Sequence, residues 1–408
     1  MKKKLDSSRF RILYAILLVA TIVFGSIYLV GPIIIRYIAS VGIFIVCKRE
    51  KVPFPDSPYV KIYSIFIAIL FLTSLFKGYE VDFTKLFIGY YLTTYLWIWA
   101  TYILVIKYNS LGTMIYTLFC ICLFNSLVTI GQHFMNPIAF AIPQYLGVDV
   151  FGVDSMYEKS DNVITQFALF GIFGAFQNGY YSAVGAVLSL VLWLKNRKIY
   201  YLLFWIIAIF SLFCVQERAG FVAGMFFSSV LLYRSLLDSK SMILKCGVIL
   251  VTIFTAAYFV SYGLEYSSYL EGTRYESFDM DTRTGLYQKS VDYISAHPFD
   301  ANLMEFYDIY HKYPHNFLYN CFIYGTAIGG IMILFCIISI WFKSFKYALH
   351  PIGNNNYYIM LLIYTMFSYC VAGFTHNASI VSGDVLFWLL VTPIIFNKTI
   401  VNANFKKN

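Results

Sequence analysis

Long apolar runs, nearly free of charge, recur from one end of this sequence to the other, and no other feature limits its possible folds as strongly. Of the 408 residues 60% are hydrophobic and only 12% charged, against about 25% charged in soluble domains. Polar surface that sparse cannot coat a water-soluble body, so lipid is the expected solvent for most of the chain. The runs are too long for barrel strands and lack period-2 alternation, which leaves helices. A membrane helix takes roughly 20 apolar residues. On that rule the sequence predicts spans near 12–30, 31–47, 61–76, 84–106, 110–130, 178–194, 200–215, 219–236, 244–262, 317–341, 356–371 and 383–397. The expected fold is an all-α polytopic membrane protein of about 12 transmembrane helices. Residues 1–408 would form a single integral membrane domain, with 263–316 as its large external loop. The stretch 163–194 is apolar but broken by Gln177, Asn178 and Gly179. It reads either as a re-entrant segment followed by a span or as one long bent helix.

The net charge of +9 is not gathered on one face, so it does not point to nucleic acid. Alternate inter-span segments hold 21 of the 30 Lys and Arg, and the opposite set holds 8 although it includes the two longest loops. The positive-inside rule then places both termini in the cytoplasm and the loop 263–316 outside a cytoplasmic membrane. The basic start, KKK with Arg9 and Arg11, resembles a signal peptide. No convincing small-residue cleavage site follows, so the first run is read as a retained helix. The eight cysteines sit in or beside apolar runs without CxxC or Cys/His spacing, and read as small buried hydrophobes. Arg36, inside the second predicted span, reads as a snorkelling or bundle-facing arginine.

Polar chemistry gathers at the outward boundaries. In VQERAGFVAG, residues 215–224, Glu217 and Arg218 are the only charges, while Ala219, Gly220, Ala223 and Gly224 permit close helix approach. Across 281–295, Leu286, Tyr287, Ser290, Val291 and Ile294 recur at helical spacing. They predict a short amphipathic helix with Arg283 at its start. Pro314 limits helix continuation from upstream, and Asn316 is placed to cap the helix that follows, whose free amides favour an anion. The pair His315–Asn316 recurs as His376–Asn377 in the turn 373–384. There is no P-loop, and arginines can stand in for a divalent ion, so neither a metal nor another cofactor is expected.

Taken in order, ERAG at 217–220, RTGLY at 283–287, the HP pair at 297–298 and HNFLYNCFIYGTAIGG at 315–330 resemble the bacterial O-antigen ligase and polysaccharide repeat-unit polymerase superfamily. The resemblance covers roughly 160–395. It implies a metal-independent, lipid-linked oligosaccharide glycosyltransferase of the membrane-embedded C type (GT-C) with no cofactor. It also implies lipopolysaccharide or other polysaccharide biosynthesis at the bacterial inner membrane, with the active site on the periplasmic side. The donor would be an oligosaccharide on undecaprenyl diphosphate and the acceptor a second lipid-linked repeat unit. Membrane lipid, a flippase and a chain-length regulator would be its partners. Carried onto this sequence, Arg218 and Arg283 would bind the diphosphate with His376, and His315 would be the base. His311, Asn316, Tyr287, Glu305, Tyr310 and Asn377 would be accessory or sugar-binding groups.

These residue types suit that chemistry. As an acceptor hydroxyl attacks the anomeric carbon, the departing diphosphate gains charge that fixed guanidinium groups stabilise. A neutral histidine in hydrogen-bond reach takes the hydroxyl proton near neutral pH. In-line displacement would invert the anomeric configuration. A polymerase is favoured over a ligase to lipid A core because the external face lacks a strongly basic surface for phosphorylated core sugars. A polysaccharide flippase is the alternative from another class, but the two halves are unequal and the charges lie at one boundary.

Overall fold

A computed structural model describes residues 2–30, 33–76, 91–148, 169–173, 175–215, 218–237, 280–311, 314, 316–348, 357–373 and 385–396. Among them are fourteen helices and one two-stranded hairpin. Helix α1 (Lys2–Ile22) leads through β1 (Tyr28–Val30) and β2 (Ile33–Ile34), an antiparallel pair, into α2 (Ile35–Arg49). Then come α3 (Pro58–Phe76), α4 (Leu92–Ile106), α5 (Leu111–His133), α6 (Pro137–Tyr145), α7 (Ala175–Asn196), α8 (Tyr200–Val215) and α9 (Arg218–Leu237). The remainder are α10 (Met280–Ala296), α11 (Leu303–Tyr310), α12 (Phe317–Ala348), α13 (Tyr357–Gly373) and α14 (Val385–Ile395). Apolar segments become helices because a helix satisfies its backbone polar groups internally while burying its side chains. The segment 244–262 lies outside the described residues.

The chain divides into two compact units. In the first, Met1–Ile121 with Met280–Met366 and Gly373–Asn408, α1 and α4 both pack on α2. Hydroxyl pairs lock this trio: Tyr14 Oη lies 2.9 Å from Thr101 Oγ1, and Ser40 Oγ 2.8 Å from Thr93 Oγ1. Beyond the end of α4, Lys107 Nζ is 2.7 Å from Glu50 Oε2, a carboxylate that also accepts from the Tyr108 hydroxyl. Helix α3 packs on α12 through the buried Phe66 ring. A Cβ on Gly325 would come within 2.4 Å of that ring, so only glycine permits this approach.

The second unit, Cys122–Asp279 with Phe367–Ala372, has α7 at its centre with α8 and α9 packed against it. A Cβ on Gly220 would lie 2.8 Å from the Gly179 carbonyl oxygen, and one on Gly224 3.5 Å from Ala183 Cα. The close approach expected of the small residues in 219–224 is therefore made, with α7 as the partner. A polar knot ties α5, α7 and the turn 169–173 together. Asn178 Oδ1 accepts from Asn125 Nδ2 at 2.6 Å and Thr129 Oγ1 at 3.1 Å, and Asn178 Nδ2 donates to the Leu169 carbonyl at 2.8 Å. Gln132 pairs with both backbone groups of Gly171, at 3.0 and 3.2 Å. The break expected at Gln177–Gly179 is absent. Helix α7 runs through these residues, and the chain turns upstream at 169–173, where Gly171 takes φ +53°.

The number of membrane spans is corrected by these lengths. Among the described residues, two helical stretches are long and apolar enough to cross a membrane, Leu111–His133 with 23 residues and Gly325–Phe345 with 21. The other apolar stretches, such as Leu92–Ile106, Tyr200–Val215 and Val385–Ile395, have 10–17 residues. At the helical rise that is about 15–26 Å, short of the roughly 30 Å hydrocarbon layer. The polytopic GT-C-like architecture of about 12 spans is not what these helices form. The two-termini-inside topology and the bacterial inner-membrane location fall with it. So do the O-antigen polymerase, ligase and flippase readings and the lipopolysaccharide role, each of which requires a multi-pass protein acting on lipid-linked glycans. The overcount has a physical cause. A helix enclosed by other helices is apolar all round, as a span is, and α7 is buried continuously from Asn178 to Leu192. Large apolar side chains do remain outside, Phe76 at 88% and Phe342 at 73% exposure among them, and surface of that kind marks contact with an apolar partner.

Replacing Asn178 by Ala strands the Leu169 carbonyl, while the Asn125 amide keeps Ser182 and the Thr129 hydroxyl keeps the Asn125 carbonyl. At about 1–3 kcal/mol for a buried group left unsatisfied, the loss is about 1–3 kcal/mol. Denaturant unfolding of Asn178→Ala measures it, and a loss below about 1 kcal/mol would show that the knot does not hold the unit.

Candidate functional site

In the first unit the predicted amphipathic helix exists as α10, and with α11 and the start of α12 it forms an elbow. Leu286, Ser290 and Tyr293 recur at helical spacing on the buried face of α10, and Leu286 and Tyr293 cluster with Ala301, Phe306 and Ile323. The Tyr293 hydroxyl holds the corner. It lies 3.1 Å from the Asn302 carbonyl and 3.2 Å from Glu305 Oε2, and accepts from the Asn302 amide at 3.1 Å. His297 Nδ1 is 3.4 Å from Asp300 Oδ1 at the end of α10. The elbow is bonded to α12 by an unusual backbone. Thr326 adopts φ 57° and ψ −176° inside that helix, a region occupied essentially by glycine alone. The Ala327 amide donates to the Pro298 carbonyl at 2.6 Å.

Several predicted site residues meet here. Asn316 caps α12, accepting from the Leu318 amide at 2.8 Å, as its position before an apolar helix implied. Tyr287 packs on Tyr319 with ring centroids 5.5 Å apart. Tyr310 packs on Phe306 at 4.7 Å, with Lys289 Nζ 5.6 Å from its ring. Glu305 is half-buried and points to Tyr293, while His311 is exposed at the end of α11 with φ 53°. Its left-handed backbone and the interruption at Pro314 keep His311 out of α12. Arg283 is the fourth residue of α10. Arg218 opens α9 in the other unit. His315, His376 and Asn377 lie outside the described residues.

The elbow presents the half-buried Glu305 and Tyr310, with Phe299, Tyr307, Asp308 and His311 exposed around them. Aromatic faces paired with hydrogen-bonding side chains suit a polyhydroxylated ligand. Among the described residues no three His, Cys, Asp or Glu side chains converge as metal ligands would. No protein-family model matches the sequence, and no curated protein is significantly similar to it.

Sequence reasoning overlooked Tyr293, Asn302 and Asn320. Asn320, one turn into α12, is 1% exposed, and neither its amide nitrogen nor its oxygen has a hydrogen-bond partner. The signal was available: an amide four residues after the capping Asn316, on an otherwise apolar helix. Its buried location is what only the fold supplies.

Two outcomes follow from this geometry. Burial pushes the Tyr293 phenol well up, with the charges of Glu305 and Asp300 adding to it and the Asn302 backbone bond opposing. The unfolded phenol ionises near pH 10 and the folded one only above that. The stabilisation is therefore complete below about pH 10 and declines as pH rises beyond it. Tyr293→Phe loses the hydroxyl bonds at neutral pH, and its stability falls less steeply than the parent's between pH 9.5 and 11, read by thermal unfolding at each pH. Asn320→Leu removes two unpartnered polar atoms from the interior, and raises stability by about 1–2 kcal/mol in denaturant unfolding.

Proposed function

We propose that this chain is a metal-independent glycosyltransferase whose α10–α12 elbow holds the saccharide. The observation that carries the proposal is the elbow itself, which brings Tyr287, Glu305, Tyr310, His311 and Asn316 into one substructure. Asn320 adds an amide kept buried and unpartnered at a cost in stability.

In this reading Tyr310 and Glu305 contact sugar, the first through its ring and the second through its carboxylate. The donor is a glycosyl diphosphate, which needs no metal where guanidinium groups take up the developing charge. Arg283, in the first turn of α10, supplies that charge. His315, beside the capped start of α12, is the base toward the acceptor hydroxyl, and His311 assists it. The diphosphate leaves with its electron pair, the acceptor oxygen bonds to the anomeric carbon, and the hydroxyl proton passes to the imidazole. The order of the RTGLY, HP and HN elements supports the reaction type through the resemblance described above. The multi-span polymerase and ligase roles are not part of the proposal.

The test uses purified full-length protein, nucleotide-linked and short-prenyl-linked glycosyl diphosphates, and oligosaccharide acceptors, with products resolved by mass. Transfer in the presence of a chelator is expected, reduced by about 10²–10⁴-fold in His315→Ala. Saccharide binding without transfer would reduce the protein to a carbohydrate-binding one, and neither binding nor transfer across the set would reject the proposal.

A further inference from the structure

We infer that one face of the second unit, the outer stripe of α8 with the basic turn ahead of it, docks on the surface of an anionic phospholipid layer, independently of the elbow. One side of α8 is packed against α7. On the other side Leu203, Ile206, Phe210 and Phe213, with Ile199 just ahead of the helix, recur at alternating four- and three-residue spacing, and all are exposed. That spacing makes one continuous apolar stripe about 21 Å long. Toward its far end Phe134, from the end of α5, stacks on Phe210 with ring centroids 6.3 Å apart. Met135 and the 71% exposed Ile138 follow Phe134 in the chain.

The near end identifies the occupant. Lys195, Arg197 and Lys198, all exposed, gather where α7 ends and the chain turns into α8. No acidic residue stands between Asp161 and Glu217, and among the described residues neither Arg197 nor Lys198 forms an ion pair. Each lies against an aromatic ring instead, Arg197 at 5.2 Å from Trp193 and Lys198 Nζ at 5.7 Å from Tyr200. Arg197 takes φ 55°, the left-handed place after a helix where glycine is usual, so a cation is kept there against the backbone preference. Cations and rings bordering an apolar stripe match a lipid layer, whose phosphates pair with the cations while the rings lie at headgroup level. A protein partner suits this face less, because protein interfaces carry about one hydrogen bond per 100–200 Å². From Ile199 to Val215 there is no charged or amide side chain, and Trp205 Nε1 is engaged by Ser228 Oγ at 3.1 Å within the unit. With 16 residues α8 is about 24 Å long, short of the hydrocarbon layer. It therefore lies along the layer with its stripe about 5–10 Å deep, and the turn at its start stays level with the phosphates.

Vesicle flotation of the purified full-length protein tests the docking. Vesicles of phosphatidylcholine and phosphatidylglycerol in equal parts carry the protein with them, and vesicles of phosphatidylcholine alone carry far less. Arg197→Gln combined with Lys198→Gln weakens binding to the anionic vesicles about thirtyfold, and raising the salt weakens the parent's binding in the same direction. Ile138→Gln combined with Leu203→Gln, both exposed positions, weakens binding with the cations intact, and circular dichroism checks that the helices persist. Equal flotation with both kinds of vesicle, or unchanged binding in either double variant, would overturn the inference. So would a dimer seen by sedimentation without lipid that Leu203→Gln dissociates, if the parent does not float, since the stripe would then face a second copy of the chain. If the Ile138 and Leu203 variant does not fold, the Arg197 and Lys198 comparison decides alone.

Discussion

The bond from the Ala327 amide to the Pro298 carbonyl is the constraint on which the candidate site depends. It joins the corner after α10 to a point ten residues into α12, and it exists because Thr326 leaves helical geometry and frees the amide that follows. Phe66 supports the same place from α3, packed where Gly325 and Gly329 have no side chain. A strained backbone persists only where its surroundings over-determine it. Here the ring of Phe66 on one side and the Pro298 carbonyl on the other do so, and the elbow is held against the helix that Asn316 caps.

Polar groups in the interior are treated in two ways. In the second unit Asn125 and Asn178 satisfy each other and Gln132 satisfies the turn at Gly171, so the knot specifies a single path for the chain there. In the first unit Tyr293 is fully engaged, whereas Asn320 in the neighbouring helix is not. A satisfied network reads as architecture. An unsatisfied amide reads as a place kept for something else.

Much of the local structure was legible in the residues. The helix over 281–295 follows from its spacing, the cap at Asn316 from an asparagine ahead of an apolar run, and the close helix approach at Gly220 from its missing side chain. The turn at 169–173 was not legible. The conspicuous polar triplet Gln177–Gly179 suggested a break, yet the Asn178 side chain bonds to Asn125 and Leu169 and lets α7 continue. Whether a polar residue ends a helix or anchors it depends on partners remote in sequence.

The sequence by itself determined that this chain is helical, where most of its helices lie, and which residue types stand ready for chemistry at their ends. Periodicity, capping and glycine placement act over a few residues, and a sequence displays them directly. Only the tertiary structure decided what the apolar residues face. Composition counts them without distinguishing helix from helix, partner or solvent, which is why α7, enclosed on all sides, looked like a span. It also decided that Tyr293, Glu305, Tyr310 and Asn316 share one elbow, since contacts across long stretches of chain are made by packing and not by local pattern.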